Sequence, residues 1–148
     1  MNLIRAAHVE ELNRVLSMYR EGFFPGLKSS TLENYLDHDL VLVALSAEEV
    51  IGFLHAMPMG TIYELHAIFV DLPHRGAGFG RLLLSHLLDQ LRELKVEHLW
   101  LEVSEKNKYA VRLYYALGGQ VTGRRDRYYK DGSDALLFEF SIGGLCNS

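Results

Sequence analysis

Short apolar runs and helical stripes alternate along the chain, with turn residues between them. "NLIRAA" reads as an opening strand. Leu12, Val15, Leu16, Tyr19 and Phe23 recur at i, i+3, i+4, i+7 and i+11, which predicts an amphipathic helix from about His8 to Gly22. "FFPGLKSS" breaks it, and Ser30 or Thr31 would cap a short second helix ending near Asp37. "LVLVALS" and "VIGFLHAM" flank Glu48-Glu49 as two antiparallel strands with a turn, and Met57 to Thr61, with Pro58 and Gly60, makes the next break. "IYELHAIFV" is a further strand.

Leu84, Leu87, Leu88 and Leu91 mark one face of a helix that begins within "RGAGFG" and ends near Lys95. "VEHLWLEVS" alternates as a strand, with His98, Trp100, Glu102 and Ser104 on one face and Leu99, Leu101 and Val103 on the other. Ala110, Leu113, Tyr114 and Leu117 place another helix from about Asn107 to Leu117, stopped by Gly118. Two last strands flank the turn signal "KDGS". The order β-α-α-β-β-β-α-β-α-β-β is that of an α/β domain with a mixed sheet.

The chain has 148 residues, 49% hydrophobic and 23% charged, which fits one domain over residues 1–148 with a core of its own. A single cysteine, Cys146, excludes a disulfide framework or a thiolate metal site within the chain and is compatible with a reducing cytoplasm. "MNLIRAAHVEELN" has acidic residues where a signal peptide needs an apolar core, and no apolar run reaches membrane-spanning length, so no membrane role is expected. The net charge of −4 argues against nucleic acid as the main ligand, since phosphate neutralisation dominates such binding. The seven histidines form no ligand-spaced cluster, and no metal is expected. Arg124, Arg125, Arg127 and Lys130 make a basic run interleaved with Tyr128 and Tyr129, which on a short hairpin reads as solvated strand.

The chemistry concentrates in Arg75-Gly76-Ala77-Gly78-Phe79-Gly80-Arg81. These residues follow a strand and open a helix. Glycines let the backbone approach an anion, and the helix start offers unpaired N–H groups and the positive end of its dipole. No Lys-Ser/Thr follows, so this is not a Walker loop, and the glycine spacing is not that of a dinucleotide fingerprint.

Arg75-x-x-Gly78-x-Gly80 resembles the Q/R-x-x-G-x-G/A motif of the GNAT superfamily of acyl-CoA-dependent N-acetyltransferases. "WLEVSEKNKYAVRLYYALGG" and "GRRDRYYKDGSDALLFEF" are similar to two further segments of that superfamily, in its ribosomal-protein-alanine (RimI-type) branch. The resemblance runs from about Ile68 to Phe140. It implies a mixed, mostly antiparallel sheet of about seven strands with about four helices. It also implies acetyl-CoA as co-substrate, and as acceptor a peptide or protein N-terminus or a small amine, in a cytoplasmic monomer or homodimer.

The resemblance implies roles residue by residue. Backbone groups of Ile68, Phe69 and Val70 would pair with the pantetheine arm, with the Val70 N–H facing the thioester oxygen. Arg75 and the backbone of Gly76, Ala77, Gly78, Phe79, Gly80 and Arg81 would hold the pyrophosphate. Asn107 would contact the cofactor, a role that stands beside that of a plain helix N-cap. Glu102 would take the amine's proton and Tyr114 would protonate the departing thiolate, with Glu64 the rival base. Tyr128 and Tyr129 would order the acceptor. The branch carries an aromatic where this chain has Gly119, so altered packing is expected there.

Overall fold

A computed structural model of the chain describes residues 3–143, and Cys146 lies outside them. The elements are β1 (Leu3–Ala6), α1 (Leu12–Gly22), α2 (Ser29–His38), β2 (Leu40–Ser46), β3 (Glu49–Met59) and β4 (Ile62–Val70). They are followed by α3 (Phe79–Glu93), β5 (His98–Ser104), α4 (Lys108–Ala116), β6 (Gln120–Arg125) and β7 (Ala135–Ser141). The strands lie in the order β1-β2-β3-β4-β5-β7-β6. β4 and β5 pair in parallel, whereas β1/β2, β2/β3, β5/β7 and β6/β7 are antiparallel. This is the expected α/β class with a mixed, mostly antiparallel sheet.

Two compact units divide the chain, one made of residues up to Pro58 with Leu65–Gln90, the other of Met59–Glu64 with residues from Leu91 onward. In the first, the apolar stripe of α1 buries Val15, Leu16, Met18 and Tyr19 with Leu32 of α2 and Val41, Val43, Phe53, Ala67 and Phe69 of the strands. A polar chain crosses this core. The Tyr19 hydroxyl lies 2.8 Å from Nδ1 of His55, and Nε2 of His55 lies 2.7 Å from Oδ2 of Asp39. His55 is fully buried, and the Tyr35 ring stacks on it at 4.3 Å. One arrangement satisfies every atom: a neutral imidazole donating to the carboxylate and accepting from the phenol. In the second unit, β5 turns Leu99, Leu101 and Val103 inward, where they are buried with Phe138 and Phe140 of β7 and Leu113 and Tyr114 of α4.

Several boundaries differ from the sequence reading. Val9–Glu11 form a 3-10 turn before α1, where the Glu11 carboxylate accepts from the His8 N–H and both terminal nitrogens of Arg5. Neither Ser30 nor Thr31 caps α2; it starts at Ser29, and the Lys28 carbonyl accepts from the Thr31 and Leu32 N–H groups. β3 runs through Pro58 instead of breaking there. The β2 register ends at Leu40↔Ala56, so the missing N–H of Pro58 costs that ladder nothing. Finally, nine residues separate β6 from β7, so Tyr128 and Tyr129 sit in a loop and not on a strand.

Burial holds the His55 imidazole below its ordinary value, against the opposing pull of the Asp39 carboxylate. In the unfolded chain His55 regains a pKa near 6.5, so the unfolded state takes up a proton that the folded state refuses. Stability should therefore fall as pH drops below about 6.5, and His55→Gln should remove that part of the slope. Urea midpoints of both proteins at pH 5.5 and 7.5 check this; parallel slopes would contradict it.

Candidate active site

Within the first unit, β4 delivers its last residues to the glycine loop. Two glycines clear the way. A Cβ on Gly52 would stand 2.7 Å from the Phe69 carbonyl oxygen, and one on Gly22 would stand 2.6 Å from the Phe69 ring. Phe69 is thus wedged between β3 and the end of α1, which fixes the course of Ile68–Val70. Arg75 folds back onto this strand. Its Nε donates to the Val70 carbonyl at 2.7 Å, and its guanidinium lies 5.2 Å from the Phe69 ring centre.

Gly76 and Gly78 have φ of +81° and +92°, values that L side chains rarely adopt, and a Cβ on either would meet nothing within 4 Å. The loop therefore offers bare backbone beside open space. Phe79 is buried and starts α3, whose first intrahelical bond from Leu82 N–H reaches Gly78. The N–H groups of such a first turn lack helical acceptors. Together with the dipole and Arg81, they suit a phosphate-sized anion.

Within the second unit, the strand register sorts the chemistry onto two faces. Glu102 pairs with Leu137 and Trp100 with Glu139, so Glu102 stands on the face that carries Trp100, whose indole N–H donates to Glu139 at 2.6 Å. Glu64 is the register partner of Trp100, which puts both candidate bases on this face. Arg125 Nε lies 3.3 Å from Glu102 Oε2, and its guanidinium lies 5.6 Å from the Tyr128 ring centre. Tyr128 meets Tyr129 edge to face at 5.1 Å.

Phe138 and Phe140 point to the opposite face. There Tyr114, only 4% exposed, makes edge contacts with them at 5.5 and 6.4 Å. Burial, reinforced by the neighbouring Tyr129 hydroxyl, pushes the Tyr114 phenol well above its ordinary value, so it stays protonated at neutral pH. The Tyr129 phenol is likewise raised, first by partial burial and then by the Glu102 carboxylate. Tyr129 is thus the electrostatic neighbour of both.

Asn107 caps α4, its Oδ1 accepting from the Ala110 N–H at 3.2 Å. The Gly118 and Gly119 N–H groups close the helix on the Tyr115 and Tyr114 carbonyls, with Gly118 at φ +98°. Packing at Gly119 is explained by β7. A Cβ there would lie 2.8 Å from Phe140 Cζ, 2.9 Å from the Tyr114 carbonyl and 3.1 Å from Phe138, so those two rings fill the space an aromatic side chain would take.

Two features of this unit were not visible in the sequence. Arg125 is the ion-pair partner of Glu102, set 23 positions away by the β6–β7 register. The loop bearing Tyr128 and Tyr129 is held by Asp134, which accepts from the Arg127 N–H and pairs with Arg124, while Ser133 meets Ser104 at 2.9 Å. No group of three or more metal-ligating side chains occurs among the described residues.

Residues 9–118 match the Acetyltransferase (GNAT) family, and the chain belongs to that family. It is 38% identical over 111 residues to the N-alpha-acetyltransferase RimI of Mycobacterium tuberculosis (strain ATCC 25618 / H37Rv), a match that spans 72% of this chain and 68% of that protein. An uncharacterized protein of Mycobacterium leprae (strain TN) is 37% identical over 99 residues, 64% of this chain and 27% of that protein's length. The crystal structure of the ribosomal-protein-S18-alanine N-acetyltransferase from Escherichia coli superposes with a TM-score of 0.85 at 27% identity, covering 96% of this chain and 94% of that one.

The crowding at Gly119 carries a prediction. Gly119→Ala should destabilise the protein by about 1–3 kcal/mol, because the backbone carbonyl of Tyr114 cannot yield as a side chain can. Adding Phe140→Leu, which removes one of the two clashes, should recover part of the loss. Urea denaturation of the single and double variants measures both.

Proposed function

We propose that this chain transfers the acetyl group of acetyl-CoA to the N-terminal α-amine of a protein, acting in the cytoplasm as one domain over residues 1–148. The activities named for the M. tuberculosis and E. coli proteins support this choice of acceptor. The observation that carries the mechanism is the contrast between Glu102, a carboxylate held 3.3 Å from Arg125, and Tyr114, a buried phenol that stays neutral, with Tyr129 the neighbour of both. A carboxylate can take the amine's proton and a neutral phenol can give one to the thiolate, both at the single carbon that bonds nitrogen and sulfur.

In this reading the backbone of Gly76–Arg81 and the start of α3 hold the pyrophosphate, and Ile68–Val70 pair with the pantetheine arm. The α-amine, with a pKa of about 8, is largely protonated near neutral pH. Glu102, kept in place by Arg125, takes that proton, and the free amine attacks the thioester carbonyl. The new C–N bond leaves a tetrahedral oxyanion facing the Val70 N–H. Its collapse breaks the C–S bond as the nitrogen gives up its remaining extra proton to solvent, and Glu102 releases the proton it took to solvent as well. Tyr114, held neutral by burial, donates its proton to the departing sulfur as negative charge gathers there. The products are the N-acetylated chain and free CoA thiol, and the phenol regains a proton from solvent.

A small amine is the alternative acceptor for the same chemistry, since the fold alone does not choose among acceptors. A non-catalytic acyl-CoA-binding role is the remaining alternative, and it requires neither Glu102 nor Tyr114. Thiol release with saturating acetyl-CoA and a panel of peptides and small amines separates these readings. Glu102→Gln and Tyr114→Phe should each lower kcat by about 100-fold or more with the preferred peptide. Wild-type turnover in both variants would overturn the assigned roles. If Glu64→Gln alone abolishes turnover, the base is Glu64.

A further inference from the structure

The glycine loop has little packing of its own. Gly76 and Gly78 have open space around them, and Arg75, Gly76 and Ala77 are exposed. A loop with two glycines samples many shapes, and ordering it on binding costs affinity. Something must therefore hold its two ends. At one end stands Asp71, directly after β4, and at the other Phe79, the first residue of α3.

One side chain meets both. His74 Nδ1 lies 2.8 Å from Asp71 Oδ1, and the His74 ring stands edge-on to Phe79 with centres 6.0 Å apart. Because an ionised carboxylate only accepts, the proton of this bond sits on Nδ1. The His74 N–H also donates to the Asp71 carbonyl at 3.0 Å, which sets the turn that leads into the loop.

Asp71 is itself fixed from behind. Its other carboxylate oxygen, Oδ2, lies 2.9 Å from Arg14 Nη2, and Arg14 Nε donates to the Val50 carbonyl at 3.0 Å. The Asp71 N–H donates to the Ile51 carbonyl at 2.8 Å. A continuous path thus runs from α1 and β3 through Asp71 and His74 to the start of α3. Arg14 has a second effect. It offsets a carboxylate that would otherwise stand uncompensated beside a site for an anion.

We propose that His74 is a positioning residue that braces the glycine loop between Asp71 and Phe79, presetting it for the pyrophosphate of the acyl donor. The choice of donor rests on the function proposed above; the brace does not. His74 touches neither reacting group, so its loss should weaken donor binding and leave the chemical step alone.

Hydrogen exchange on the ligand-free protein tests the brace, and kinetics test its consequence. In His74→Ala the amides of residues 75–81 should exchange faster than in wild type, with those of β2 and β3 unchanged. The Kd for CoA and the KM for acetyl-CoA should both rise by about tenfold, while kcat and the acceptor KM stay within about twofold. His74→Phe restores the ring contact with Phe79 but not the bond to Asp71, and should recover part of the affinity. Unchanged exchange in the loop of His74→Ala overturns the proposal. So does a fall in kcat with unchanged KM for acetyl-CoA. If the loop loosens as expected but wild-type protein does not bind CoA, the brace stands and the donor reading fails.

Discussion

The alternation of side chains along β5, locked by its pairing with β7, is the constraint on which the chemistry of the second unit depends. A strand places neighbours on opposite faces, so Glu102 cannot share a face with Leu101 or Val103. The β7 register then orients Phe138 and Phe140 toward Tyr114, away from Glu102. A slip of one residue in this pairing would turn one strand over against the other, burying Glu102 or exposing Phe138, which makes the register costly to disturb. Gly119 belongs to the same arrangement, because the two rings that support Tyr114 occupy the space a side chain there would need.

In the first unit the decisive interactions are steric. Phe69 fits only because Gly22 and Gly52 lack side chains, and its fit fixes the backbone that ends β4. The Tyr19–His55–Asp39 chain adds a different kind of constraint. Buried polar groups gain little net stability when paired but lose much when a partner is removed. That asymmetry ties α1, the end of α2 and β3 to one mutual arrangement.

Much of this was legible in the sequence, and the remainder has physical reasons for being hidden. The helical stripe of α1, the alternation of β5 and the glycine loop are local patterns, and each appears where its spacing placed it. Pro58 misled because its cost depends on whether a neighbouring strand needs its N–H. Asn107 caps α4, as one of its two readings held. The ion pair of Glu102 with Arg125, like the contacts of His55 with Tyr19 and Asp39, joins residues 16 to 36 positions apart. Such pairs follow from strand register and helix packing, which no local spacing encodes. The basic run of Arg124, Arg125 and Arg127 shows the same limit, since two of its members are consumed by carboxylates within the fold.

The glycine loop, the β4 terminus and the two-faced β5–β7 ladder make one account of acetyl transfer to a protein N-terminus. The most direct test is to incubate the protein with acetyl-CoA and a peptide carrying both a free α-amine and an internal lysine, then locate the added acetyl group by tandem mass spectrometry. The account predicts modification at the α-amine, with free CoA released in equal amount. Acetylation confined to the lysine, or no acetylation of any peptide in a panel of N-terminal sequences, would contradict it.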